Sequence, residues 1–93
     1  MKYDLIRTTK FKKDFKKAIK NGNDINKFKE VVRLLQNGET LPPKNKDHYL
    51  TGNWNGYREC HIEPDWLLIY RIDKTELVLV LTRTGSHSYL DLE

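Results

Sequence analysis

The sequence predicts an α+β protein of two layers, with an antiparallel sheet packed against a helical hairpin in the order β-α-α-β-β-β. Three observations predict it. Between residues 9 and 36, two apolar stripes keep helical spacing on either side of a short connection. Between residues 54 and 83, three strand-like runs are separated by turn residues. Helical and strand runs are also segregated along the chain, and each apolar stripe needs a facing layer to bury against.

Lys2 to Arg7 reads as a short strand, with Tyr3 and Leu5 on one face and Ile6 adding β-branched character. Thr8 or Thr9 caps the first helix, a hydroxyl there satisfying an otherwise orphaned backbone N–H. Phe11, Phe15, Ala18 and Ile19 follow at i, i+4, i+7 and i+8, a single apolar stripe. Lys12, Lys13, Lys16, Lys17 and Lys20 take the rest of the circumference, and Asn21-Gly22 ends the helix. Asp24 caps a second helix through Ile25, Phe28, Val31, Val32, Leu34 and Leu35, closed by Asn37-Gly38. The short connection makes the pair an antiparallel hairpin.

Glu39 to Asn53 is irregular, extended by Pro42-Pro43, and long for a small domain, a place where function often resides. Trp54 to Ile62 then alternates, with Tyr57, Glu59 and His61 on one face and Arg58, Cys60 and Ile62 on the other. Glu63-Pro64-Asp65 turns the chain into Trp66–Ile72, the expected central strand. Asp73-Lys74-Thr75 turns it again into Glu76–Arg83, and Gly85 ends that strand. The tail from Ser86 has no clear pattern. The helices should cover one sheet face and leave the opposite face open to a ligand.

A length of 93 residues is expected to give a single domain, 1–93, with a modest core. No apolar run approaches the roughly 20 residues of a membrane span, and no signal-peptide pattern is present. With one cysteine there is no internal disulfide; Cys60 reads as a small buried strand residue, and a cytoplasmic, membrane-free protein is expected. The net charge of +4 is unevenly spread. Residues 1–46 carry thirteen Lys/Arg against five Asp/Glu, while residues 47–93 carry four against eight. That asymmetry fits a polyanion or an acidic partner meeting the N-terminal half. Lysines that merely solvate two amphipathic helices produce the same pattern.

Hairpin topology gathers His61, Asp65, Arg83 and His87 at one end of the sheet. His48 begins its strand at the far end and joins them only if the long loop folds back. Two imidazoles titrating near neutrality can accept and donate protons, and an arginine can stabilise a developing phosphorane. This is a toolkit for metal-free RNA cleavage by 2′-OH attack on the adjacent phosphate. Zinc binding by His48, His61, Asp65 and His87 is the alternative chemistry, unsupported by any HxH or HExxH spacing, so no metal is expected. The same groups also fit plain surface polarity. Trp54, Tyr57, Trp66, Tyr70 and Tyr89 offer stacking surfaces for bases, although most read better as core.

Read in order, the following segments resemble one family over nearly the full length: Leu41-Pro42-Pro43, Lys46-Asp47-His48, Leu50-Thr51-Gly52-Asn53-Trp54, Gly56 to Trp66, Leu68-Ile69-Tyr70 and Arg83-Thr84-Gly85-Ser86-His87. The family is the RelE/ParE superfamily of bacterial toxins, in its YafQ-like branch of mRNA interferases. The resemblance implies a RelE-like fold and a toxin that cuts mRNA in the ribosomal A site without a cofactor. It implies a DinJ/RelB-type antitoxin as partner, with operator DNA bound only through the toxin–antitoxin complex. Carried over, His48, His61, Asp65, Arg83 and His87 match the active-site positions, with His87 as general acid and Arg83 as phosphate stabiliser. The base is left open among His48, His61 and Asp65. Trp66 matches a position that shapes the site or holds RNA, and Lys12, Lys13, Lys16, Lys17 and Lys20 would meet ribosomal RNA through phosphates. Relatives commonly carry an aromatic four residues beyond the last histidine; here that residue is Asp91, and Tyr89 is the nearest substitute. A ParE-like gyrase inhibitor or a non-catalytic RNA-binding module remains the alternative, and neither needs the His/Asp/Arg set.

Overall fold

The computed structural model describes residues 2–90. In chain order these form β1 (Asp4–Arg7), α1 (Thr9–Lys20), α2 (Ile25–Gln36), β2 (His48–Tyr49), β3 (Arg58–Glu63), β4 (Trp66–Asp73), β5 (Val78–Gly85) and α3 (His87–Leu90). Tight 3-10 turns at Pro43–Asn45 and Gly52–Trp54 interrupt the long loop. Both helix starts are set by the expected caps. The Thr8 hydroxyl accepts from the Phe11 amide at 3.0 Å, and the Asp24 carboxylate accepts from the Asn26 amide at 2.9 Å. Asn21 and Asn37 cap the far ends, each followed by a glycine in the left-handed region.

The two-layer α+β architecture stands as predicted, with a sheet in the order β1-β5-β4-β3-β2. Strands β2 to β5 are antiparallel, but β1 lies parallel to β5 at the edge, so the sheet is mixed rather than wholly antiparallel. Almost the whole chain separates β1 from β5, so no tight turn imposes antiparallel pairing on them. The predicted first meander strand is shorter than expected. Trp54 closes a 3-10 turn and β3 starts at Arg58. β5 starts at Val78, after Leu77 has turned the chain with φ 56, and it runs to Gly85.

The main core lies between the helices and the sheet, built from Phe11, Val31, Leu35, Cys60, Leu68, Tyr70, Leu79 and Leu81. The α1 stripe differs from its reading in one respect. Ile19 is 44% exposed, whereas Asp14 is 3% exposed among the apolar side chains. The second sheet face is not open as expected. Leu67 and Ile69 are fully buried there beneath Leu50, Trp54, Tyr57 and Leu90. No helix among the described residues is long and apolar enough to cross a membrane.

Candidate active site

His61 lies near the end of β3, Asp65 in the turn after it, and His87 opens α3 just beyond the end of β5. The meander brings them together as the topology requires: the imidazoles of His61 and His87 are 5.4 Å apart, centre to centre. Each ring is held at Nδ1. His61 Nδ1 is 3.2 Å from the Pro64 carbonyl oxygen, and His87 Nδ1 is 2.6 Å from Asp65 Oδ1. A carbonyl oxygen can only accept, so the neutral His61 ring carries its proton on Nδ1 and presents a basic Nε2. His87 likewise donates from Nδ1 to the carboxylate and leaves Nε2 outward. Asp65 Oδ1 also accepts from the His87 backbone amide at 3.0 Å. Those two hydrogen bonds, the backbone one first, hold the Asp65 carboxyl below the usual carboxylate range.

The loop does fold back along β3, where β2 pairs His48 with Glu59, near the start of that strand and on the same face as His61. His48 Nδ1 lies 2.8 Å from the Lys46 carbonyl oxygen, and its Nε2 lies 3.4 Å from the buried Glu59 carboxylate. Glu59 escaped the sequence reading.

Arg83 lies on β5, and its guanidinium is not free. Its Nε donates to Asp14 Oδ2 at 2.7 Å and its Nη2 to Oδ1 at 3.2 Å. The Thr84 amide and the Tyr89 hydroxyl donate to the same carboxylate, at 3.2 and 2.9 Å. Hydrogen bonding to Asp14 raises the Arg83 guanidinium and the Tyr89 phenol above their ordinary values. Asp14 thus ties α1, β5 and α3 together beside the histidines. Tyr89 is further fixed by Lys17 Nζ, 4.3 Å from its ring centre, and by Gly85, where any Cβ would collide with the ring.

Trp66 is a correction. It is 1% exposed and stacked on Phe28 at 6.0 Å, so its ring offers no face for RNA and can only support the site from beneath. Its indole N–H is buried with no hydrogen-bond partner among the described residues. Lys12, Lys13, Lys16, Lys17 and Lys20 are all exposed along α1. Of these, Lys17 lines a groove of about 520 Å³ with Asp14, Asp65 and Tyr89. Asp91, and with it the missing-aromatic question, lies outside the described residues.

A second polar cluster braces the loop that bears His48. Asp47 accepts from Arg58 Nη2 at 2.9 Å and from the Tyr70 hydroxyl at 2.6 Å. Burial first, and then the hydrogen bond to Asp47, pushes the Tyr70 phenol up. Asn45, itself buried, donates its amide to the His61 carbonyl at 2.7 Å. No group of three or more His, Cys, Asp or Glu among the described residues is arranged to hold a metal ion.

A small α+β body with this strand order, and with two imidazoles and a carboxylate gathered where β3 meets β4, has the RelE-like fold. The chain belongs to the YafQ family of bacterial toxins of type II toxin–antitoxin systems, whose model matches residues 3–92. It is 44% identical over 88 residues to the mRNA interferase toxin YafQ of Escherichia coli K12, covering 94% of each chain. The crystal structure of YafQ from E. coli BL21(DE3) matches with a TM-score of 0.87 at 42% identity, covering 95% of this chain and 97% of that one. The toxin in the E. coli DinJ–YafQ complex matches with a TM-score of 0.85 at 42% identity, covering 97% and 98%.

Proposed function

We propose that this chain is, over 1–93, one toxin domain that acts in the cytoplasm as a ribosome-dependent endoribonuclease, cutting mRNA in the A site by metal-free acid–base catalysis. A DinJ/RelB-type antitoxin is its partner, and operator DNA is met only through that complex. The observation that carries the reading is the His61–His87 pair, two imidazoles 5.4 Å apart whose Nδ1 atoms are both engaged by protein oxygens. That arrangement supports a division of labour. His61, neutral with Nε2 unprotonated, takes the 2′-OH proton, and the alkoxide attacks the adjacent phosphorus. His87, protonated and oriented by Asp65, returns a proton to the departing 5′ oxygen. Arg83 stabilises the charge that builds on the phosphoryl oxygens through the guanidinium hydrogens Asp14 does not take. Asp65 is the poorest of the three candidate bases, because its carboxyl is held low by His87. His48 is also poorly placed as a base, since its Nδ1 faces the Lys46 carbonyl and its Nε2 the Glu59 carboxylate, both of which only accept.

The test is His87→Ala, assayed on mRNA in a translating extract and for growth inhibition. Cleavage should fall by at least a hundredfold, within the range for general acids, with the fold and antitoxin binding kept. Unchanged toxicity would discard His87 as the acid. Gyrase inhibition without RNA cleavage by the unaltered protein would instead favour the ParE-like reading.

A further inference from the structure

A groove of about 790 Å³ runs between α2 and the turn at Pro43–Asn45 and ends on His61 and His87. Its volume lies within the roughly 300–1,000 Å³ of sites that enclose organic ligands. The floor is apolar, formed by Val31, Leu34, Pro42 and Ile62. Its acids are already spent. Glu30 is paired with Arg33 at 2.8 Å, and Glu63 with Lys27, which also lines the groove, at 3.9 Å. Lys44 and Lys46, also lining it, have no carboxylate within ion-pair distance among the described residues. The surplus charge is therefore positive.

The basic turn is also bolted to the histidines. Asn45 donates to the His61 backbone, and the Lys46 carbonyl accepts from the His48 ring. Lys46 reaches that geometry with φ 47, a left-handed conformation that is unfavourable for a lysine and persists only where surrounding contacts enforce it. A strained, buttressed turn that holds two unpaired cations at a fixed offset from the reacting imidazoles suits an anionic chain that must pass in one register.

We propose that this groove binds the single-stranded RNA on one side of the scissile phosphate, with Lys44 and Lys46 on successive phosphates and the apolar floor under a base or ribose. The inference rests on the nuclease reading. Phosphate contacts of this kind set position without reading sequence.

The probe is a 2′-O-methyl hexaribonucleotide, which cannot supply the attacking hydroxyl, titrated into the protein and followed by NMR. Methyl signals of Val31, Leu34 and Ile62 should shift together with the rings of His61 and His87. Lys44→Gln with Lys46→Asn, asparagine being tolerant of the left-handed turn, should weaken binding about five- to tenfold at low salt. The slope of log Kd against log salt should fall by about 1.4, at about 0.7 per lost phosphate contact on a single strand. Histidine shifts without groove shifts, an unchanged slope, or no shifts at millimolar RNA would overturn the proposal. So would a double variant that loses the antitoxin but keeps RNA affinity, since the groove would then belong to a protein segment. Failure of the nuclease reading looks different: the groove shifts would remain while the unaltered protein cut no mRNA in a translating extract.

Discussion

Asp14 occupies a position that a helix of this kind gives to an apolar side chain, three residues after Phe11 and four before Ala18. It is 3% exposed and accepts four hydrogen bonds, two of them from Arg83. Removing it strands a guanidinium, a phenol and a backbone amide. Asp14→Ala should therefore cost about 3 kcal/mol of stability, read from the denaturation midpoint. Asp14→Asn keeps the shape and separates folding from positioning. Under the role proposed for Arg83, it should slow single-turnover cleavage in the native protein yet add little once Arg83→Ala is present. Full additivity in that cycle would mean that Asp14 does not act through Arg83. The sequence held the clue, a lone carboxylate inside an apolar stripe, but spacing alone does not say which cation it faces. His61, Asp65 and His87 were legible as neighbours because hairpin topology brings them to one end, whereas the place of His48 depended on a loop with no periodicity. Trp66 was misleading, since an indole beside a site reads the same whether it faces ligand or core.

The elements show the same division. Both helices begin and end where their caps and glycines say, because capping is local chemistry carried by a few adjacent residues. β2 was not legible: two residues have no periodicity, and His48–Tyr49 is a strand only because β3 offers an edge. α3, at four residues, is also too short for a periodic signal and is held by tertiary latches, Asp65 on His87, Asp14 on Tyr89 and Leu90 packed with Leu67 and Ile69. The Asp65 latch has a predictable acid limit. A carboxyl lowered on folding contributes stability above its unfolded pKa, about 3.9, and loses it as pH falls through the lower folded value. The His87 amide signal and the Asp65 carboxyl carbon should therefore titrate together with a midpoint below about 3.9. A midpoint at or above that value would mean that α3 is not held through Asp65.

At the scale of the whole molecule, charge is divided as the sequence divides it. The exposed lysines of α1 project from the helical layer, while several acids of the second half are consumed in internal contacts, Asp47 with Arg58, Glu59 with His48 and Asp65 with His87. The N-terminal half therefore keeps its positive field, and the acids that would offset it are spent around the histidines. Such a field accelerates encounter with a polyanion and weakens steeply with salt, whereas the chemistry proposed for the paired imidazoles acts after encounter. Lys12, Lys13 and Lys16 lie away from the grooves that lead to the histidines. Replacing all three with glutamine should flatten the salt dependence of binding to programmed ribosomes by about one unit of log–log slope per phosphate contact removed. The loss should fall on the half-saturating toxin concentration and not on the cleavage rate at saturation. An equal fall in the saturated rate would show that the α1 lysines orient the bound toxin over the mRNA. An unaltered slope would mean that their charge serves solubility or the antitoxin, leaving ribosome recognition to the end of the sheet.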